Sequence, residues 1–270
     1  MSESLGSWRN APLVYLVMEI QFPELNDFDS CLNKLSDKLI NLYPISSNVQ
    51  GSTVALGPDG SITIQQTKMH HRVDVNRSAG VAVTPNTLSL HVSKYYSSPD
   101  LFEKLEELLT LFADTFPDRP ILRTGLRLID VVVPTETLKS VESFVKPQYQ
   151  APKPPADTEL RLHISVATFA HNKTGTVCTL KSYGTNAVPS PGLLPADLTQ
   201  INLQLFGPAP LAIQVINNKQ PVGLIDTDSS SMQVEIWSIP RVIERFKEHK
   251  EFAHVVFLDA ITDDAITVWK

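Results

Sequence analysis

His70, His71, Arg72 and Asp74, with Asn76 and Arg77 close behind, are the densest group of side chains in this chain able to do chemistry. On an extended strand His70, Arg72 and Asp74 share one face, and His71 and Val73 share the other. A His/Asp pair on a strand can hold a metal ion or activate a water molecule. The local spacing supplies no third ligand. His91 and His163 would have to arrive through space, and both alternate with apolar residues, as core or pairing histidines do. The simpler expectation is a solvated strand face with local ion pairs. The enzyme alternative, a hydrolase or a metal-dependent enzyme, needs His70, His71, Asp74 and Arg127 to converge in one cleft.

Arg123 and Arg127 bracket Gly125 inside an otherwise apolar run. An arginine there needs a partner or solvent, because an unpaired buried charge is costly. Asp130 is excluded by parity, since an odd separation places it on the other face. Glu19 or Asp74 on a neighbouring strand would serve, and the alternative use of the guanidinium fork is recognition of a carboxylate or phosphate. Asp226, Asp228 and the serines 229–231 read as a solvated acidic loop; calcium is conceivable there, but the helix–loop–helix calcium pattern is missing.

The rest of the sequence narrows the field mostly by absence. There is no Gly-rich nucleotide fingerprint, no HExxH, no paired CxxC and no GxSxG. No cofactor or metal is expected. Cys31 and Cys178 read as free thiols rather than a disulfide framework. The net charge of −6 favours solubility and gives no general pull toward nucleic acid or anionic membrane. A local patch of His70, His71, Arg72, Arg77 and Lys94 with Tyr95 and Tyr96 keeps nucleic-acid binding as a weaker reading. No apolar run approaches the roughly 18 residues that span a bilayer, and MSESLGSWRN has no signal-type apolar core, so a cytoplasmic location is expected.

The elements that must position these residues follow from periodicity. Residues 12–22 read as a strand. Phe28, Cys31, Leu32, Leu35, Leu39 and Leu42 form a helical stripe that ends at Pro44. Residues 49–94 read as an antiparallel meander. Leu101, Leu105, Leu108, Leu109, Phe112 and Phe116 mark a second helix, opened by Ser98-Pro99-Asp100. A strand covers 126–133, and 137–145 reads as a short helix. Past the proline-rich stretch 147–155, strands are expected at 159–166, 175–180, 201–206, 212–216 and 222–225. A long C-terminal helix begins near Ser238, and Thr262 caps a last short one. The fold class is therefore α+β: two predominantly antiparallel sheets, each covered on one face by helices. Residues 1–134 and 135–270 form an N-terminal and a C-terminal half, packed as one body.

Ala11-Pro12-Leu13-Val14-Tyr15-Leu16-Val17, the run Arg123-Thr124-Gly125-Leu126-Arg127-Leu128-Ile129-Asp130 and the end 257–269 carry a resemblance over nearly the whole chain. They resemble a sporadically distributed bacterial family of proteins of about 250 residues. Its middle motif reads Arg-x-Gly-Leu-Arg-Tyr-Ile-Asn; here Leu128 and Asp130 replace the tyrosine and asparagine. The resemblance implies a whole-chain unit, assigns no catalytic residue, and points to accessory genes of mobile or antiphage-defence neighbourhoods. With no catalytic motif in view, the expected role is non-catalytic protein binding by a regulator, inhibitor or immunity-type protein. The expected partner is another protein with a basic surface, and self-association stays open. Tyr183, Leu193, Leu194 and Trp237 are the expected contact residues, with a Pro-, Gly- and Ser-rich loop as polar rim.

Overall fold

The computed structural model of the chain describes residues 8, 10–56, 62–116, 119–158, 160, 162–185, 194–207 and 222–270. Eleven strands and five α-helices are described, in the order β1 (Leu13–Gln21), α1 (Phe28–Leu39), β2 (Ile45–Leu56), β3 (Ile62–Val73), β4 (Ala79–Val83), β5 (Thr87–Val92), α2 (Ser98–Thr115), β6 (Pro120–Ile121), β7 (Arg123–Val132), β8 (Leu162–Ala170), β9 (Val177–Thr185), α3 (Ala196–Phe206), β10 (Val222–Ser231), β11 (Glu235–Ile236), α4 (Ile239–Ala260) and α5 (Asp263–Trp269). The fold is α+β with two antiparallel sheets. The large one has nine strands in the order β2-β3-β4-β5-β1-β7-β10-β9-β8; the small one pairs β11 with β6. β7 of the N-terminal half pairs antiparallel with β10 of the C-terminal half, and this pairing joins the strands of the two halves into one sheet. Among the described residues no helix is long and apolar enough to cross a membrane.

Strand alternation decides which face is covered. Leu16, Met18 and Ile20 of β1 stand opposite Leu128, Leu126 and Thr124 of β7, and Leu88, Leu90 and Val92 of β5 continue the row. Helices α1, α2 and α4 close this face with Leu35 and Leu39, Leu105, Leu109 and Phe112, and Phe246 and Phe257, all buried in one cluster. Each such side chain stabilises the fold by about 1.5–3 kcal/mol through removal from water. Ser97 caps α2 by accepting from the Asp100 N–H at 3.3 Å, one residue earlier than the sequence places the cap, and Pro99 occupies the first turn. Thr262 caps α5 as expected. Trp8, Phe144, Phe257 and Trp269 stack where the two ends of the chain meet, and the Asn10 N–H donates to the Trp269 carbonyl.

Three expectations about elements change. Residues 201–206 are not a strand but the last turns of α3, where Leu198, Ile201 and Leu205 fall at helical spacing and pack with one apolar cluster. Residues 226–231 are not a solvated loop but the body of β10, with Asp226, Thr227 and Ser229 buried. The helix expected at 137–145 is a single 3-10 turn over Val141–Phe144. The strand expected at 212–216 lies outside the described residues.

Candidate functional site

The second face of the large sheet is crossed by a band of charge. Arg123, Gly125 and Arg127 alternate on this face of β7. Glu19 of β1 stands opposite Gly125, and Asp228 of β10 stands opposite Arg127. Gly125 has a positional reason: a Cβ there would lie 3.1 Å from both terminal nitrogens of Arg123. The bare backbone is the floor on which that guanidinium lies flat, reaching Glu19 Oε1 at 2.8 Å. Arg127 donates from Nε and Nη2 to both oxygens of Asp226, at 2.8 and 2.7 Å, and from Nη1 to Asp197. Arg127 therefore has the partner its burial demands. That partner is Asp226, 99 residues away in sequence, rather than Glu19 or Asp74.

The electrostatics reflect the pairing of Arg127. Burial alone would pull the Arg127 guanidinium down, but its bonds to Asp226 and Asp197 outweigh this and hold it above its ordinary value. Burial raises the Glu19 carboxyl, and Arg123 beside it works the other way. Burial likewise raises Asp228, opposed by Arg123 and Arg127. With its fork occupied by carboxylates, Arg127 has its main donors committed inside the molecule. The structure thus favours the pairing role over anion recognition.

α3 lies over the same face. Arg127 holds its first turn through Asp197, and Arg77 donates to the Leu205 carbonyl in its last turn at 3.0 Å. Between these ends Leu198, Leu205 and Phe206 pack with Tyr15, Val17, Val73 and Ile129. Gly80 makes the close approach tolerable, since a Cβ there would stand 3.0 Å from a methyl of Leu205.

His91 is buried on this face between Tyr15 Oη at 2.9 Å on Nδ1 and Ser89 Oγ at 2.8 Å on Nε2. One proton arrangement satisfies all three groups: Tyr15 donates to Nδ1, Nε2–H donates to Ser89, and Ser89 donates to the Ala82 carbonyl. Burial, then His71, drops the His91 pKa to about 3, so the ring stays neutral as a structural link. On the helix-covered face His249 plays the same part between Thr124 Oγ1 and Ser229 Oγ.

The residues expected to form a catalytic cluster are separated. His70 and Arg72 face the helices, and His71 faces the other way. None is solvated: His70, His71 and Arg72 are 7%, 1% and 7% exposed, which replaces the expected solvated strand face. Arg72 donates to Ser36 Oγ and to the Tyr43 carbonyl, tying β3 to the end of α1. Asp74 closes the β3–β4 turn by accepting from Ser78 N, Ser78 Oγ and Ala79 N. The register Val73–Gly80–His91–Val17–Arg127 places four strand spacings, roughly 19 Å, between β3 and Arg127. Burial, then His70, lowers His71 to about 4, and neither of its ring nitrogens has a hydrogen-bond partner among the described residues. Among the described residues no group of three or more His, Cys, Asp or Glu could hold a metal ion.

Of the expected contact residues, Tyr183 and Leu194 are partly buried against the cluster under α3, Trp237 packs on Phe112 at 5.2 Å between ring centroids, and Leu193 lies outside the described residues. The segment leading into Trp237 carries exposed apolar side chains. Met232, Val234 and Ile236 alternate outward at 71%, 65% and 79% exposure. From the same segment Gln233 and Glu235 reach Arg245 of α4, which is also held by Glu248. The signal was in the sequence as a period-two alternation of Met, Val and Ile with Gln and Glu. Read as an ordinary half-buried strand, that alternation sends the apolar side inward, the reverse of what Arg245 dictates. Ile164 and Val166 of β8, 45% and 60% exposed, form a second such pair.

Comparison of the chain with protein-family models and with characterised proteins finds no match.

Proposed function

We propose that the chain is a non-catalytic protein-binding protein, a regulator, inhibitor or immunity-type partner of another macromolecule in the cytoplasm. The observation that carries this reading is the outward row Met232, Val234 and Ile236. Arg245 anchors the polar side chains of that segment against α4, so the apolar ones are held toward water rather than left there by fraying. Contiguous exposed apolar side chains with a polar surround are the mark of an interaction site. Burying each against a partner would contribute about 1.5–3 kcal/mol before the cost of association. The net charge of −6 suits a partner with a basic surface, whose approach it would speed.

The test is affinity capture from the source organism with the wild type and with the triple variant M232S/V234S/I236S, followed by reconstitution with purified candidates. We expect a stoichiometric partner that the wild type retains through size-exclusion chromatography and the triple variant loses, with both melting at the same temperature. A partner bound equally by both proteins, or none retained over repeated captures, overturns the reading.

A further inference from the structure

β8 is the outermost strand of the large sheet on the side of the C-terminal half, and among the described residues no strand pairs with its outer edge. Such an edge offers a row of free backbone donors and acceptors to any extended chain. Proteins that stay monomeric blunt it with charges, prolines, bulges or short length. β8 has none of these. Its nine residues, LHISVATFA, contain no Asp, Glu, Lys, Arg, Pro or Gly. Its ladder with β9 runs without a register shift from Leu162↔Thr185 to Ala170↔Val177, so no bulge twists it away. The opposite edge differs in composition: β2, ISSNVQGSTVAL, contains Gly51 and is rich in Ser, Asn and Gln.

We infer that β8 pairs antiparallel with β8 of a second copy of this chain, about a two-fold axis through Val166. The sequence of the strand argues for a copy of itself. Val166 is the midpoint of Leu162–Ala170, so an axis there uses the full ladder. It places Val166 against Val166, Ser165 against Ala167, Ile164 against Thr168 and His163 against Phe169. No pair brings like charges together. On the face away from α4 the exposed side chains of Ile164 and Val166 become one apolar stripe across the axis, and on the other face His163 gains an aromatic neighbour. An isologous contact of this kind closes on itself and leaves no further β8 edge open. It also leaves the row at 232–236 untouched, so this inference and the partner-binding role stand or fall separately.

Sedimentation velocity over a concentration series tests the pairing. The wild type and M232S/V234S/I236S are expected to be dimers, and V166K is expected to weaken the dimer by more than about tenfold, since it sets two ammonium groups face to face on the axis. Val166 is 60% exposed, so the variant should keep the circular dichroism of the folded chain. A second measurement does not depend on that variant. In a C31S background, a short bis-maleimide should link V166C into a covalent dimer. It should not link T168C, whose two copies would lie roughly 14 Å apart along the ladder. A monomeric wild type, a dimer that V166K leaves intact, or equal linking of V166C and T168C overturns the inference. A β8 edge that instead takes up a strand from a different protein would show as the first of these results.

Discussion

On one face of the large sheet Leu16, Met18, Leu126 and Leu128 meet apolar side chains from three helices. Across the same strands, on the other face, Glu19, Arg123, Arg127, Asp226 and Asp228 form a band of charge under and beside α3. The apolar face is held by a non-directional force, spread over many contacts and tolerant of small shape changes. The charged face is held by a few bonds of fixed geometry, each of which leaves an uncompensated charge when broken. That difference teaches which polar residues are candidates for function. A carboxylate or guanidinium whose bonds are all made inside the molecule is part of the scaffold, and Arg127 with Asp226 is of that kind.

The sharpest way to break the comparison is at Asp226, 1% exposed beneath the Arg127 fork. Asp226→Ala should cost about 3–5 kcal/mol, because it strands a guanidinium in the sheet. Asp197 bonds to the same arginine but is 63% exposed, and Asp197→Ala should cost less than about 1 kcal/mol. Urea denaturation of both variants checks the pair of values. Equal losses would mean that Arg127 serves mainly to fasten α3 rather than to join β7 to β10.

Asp130 breaks the pattern from the other side. It is a carboxylic acid on the apolar face, fully buried, opposite Ile225 of β10 and Leu13 of β1, with neither oxygen hydrogen-bonded among the described residues. Burial, then the charge of Asp226, pushes its pKa up to about 8. In the unfolded chain an aspartate titrates near its ordinary value, about 3.9. Between those two values the folded state keeps a proton that the unfolded state releases, so stability falls as pH rises. The slope is about 1.4 kcal/mol per pH unit from roughly pH 4 to pH 8; below that window the effect is absent, and above it the loss is complete. Asp130→Asn should flatten this part of the curve and leave the protein more stable than wild type at pH 8. Denaturant midpoints measured at intervals across the window decide it, and parallel curves for the two proteins would show that Asp130 finds a charged-state partner.

What could be read from the sequence divides along the same line as the two faces. The apolar face was legible: stripes such as Leu101, Leu105, Leu108 and Phe112, or Leu16, Met18 and Ile20, announce their own period, and α1, α2, α4, β1 and β7 follow from them. The charged face was not. Asp-Thr-Asp-Ser-Ser-Ser has a composition unfavourable to strands, and pairing with β7 on one side and β9 on the other, with the bond from Arg127, makes it β10. α3 failed for a related reason. From Ile201 onward apolar and polar residues alternate as in a strand, and the helical period emerges only when Leu198 and the two ends anchored by Arg127 and Arg77 are counted. Arg127's need for a partner was plain from its apolar surroundings, but the identity of that partner is a property of the strand order β1-β7-β10, which local spacing does not encode. The same holds for His70, His71 and Asp74. Their adjacency in sequence suggested a site, and the strand sends neighbours to opposite faces.

The smallest effects should fall where the segment after β10 presents its two sides. Trp237 is turned inward, its ring 5.2 Å from that of Phe112 and tilted by 32°, and it packs against the main core. Ile236, the residue before it, is 79% exposed and pairs only through its backbone with Pro120. Trp237→Ala removes a half-buried ring and should cost about 1–3 kcal/mol, less than for a fully enclosed aromatic. Ile236→Ser removes a side chain that is mostly in solvent, and its effect should lie within about 0.5 kcal/mol of zero. Thermal unfolding of the two variants measures both. If Ile236→Ser were as damaging as Trp237→Ala, the outward row would belong to the fold and the case for a partner there would be gone. A neutral Ile236→Ser leaves the reverse conclusion: the chain folds without that side chain, and its exposure is available for binding.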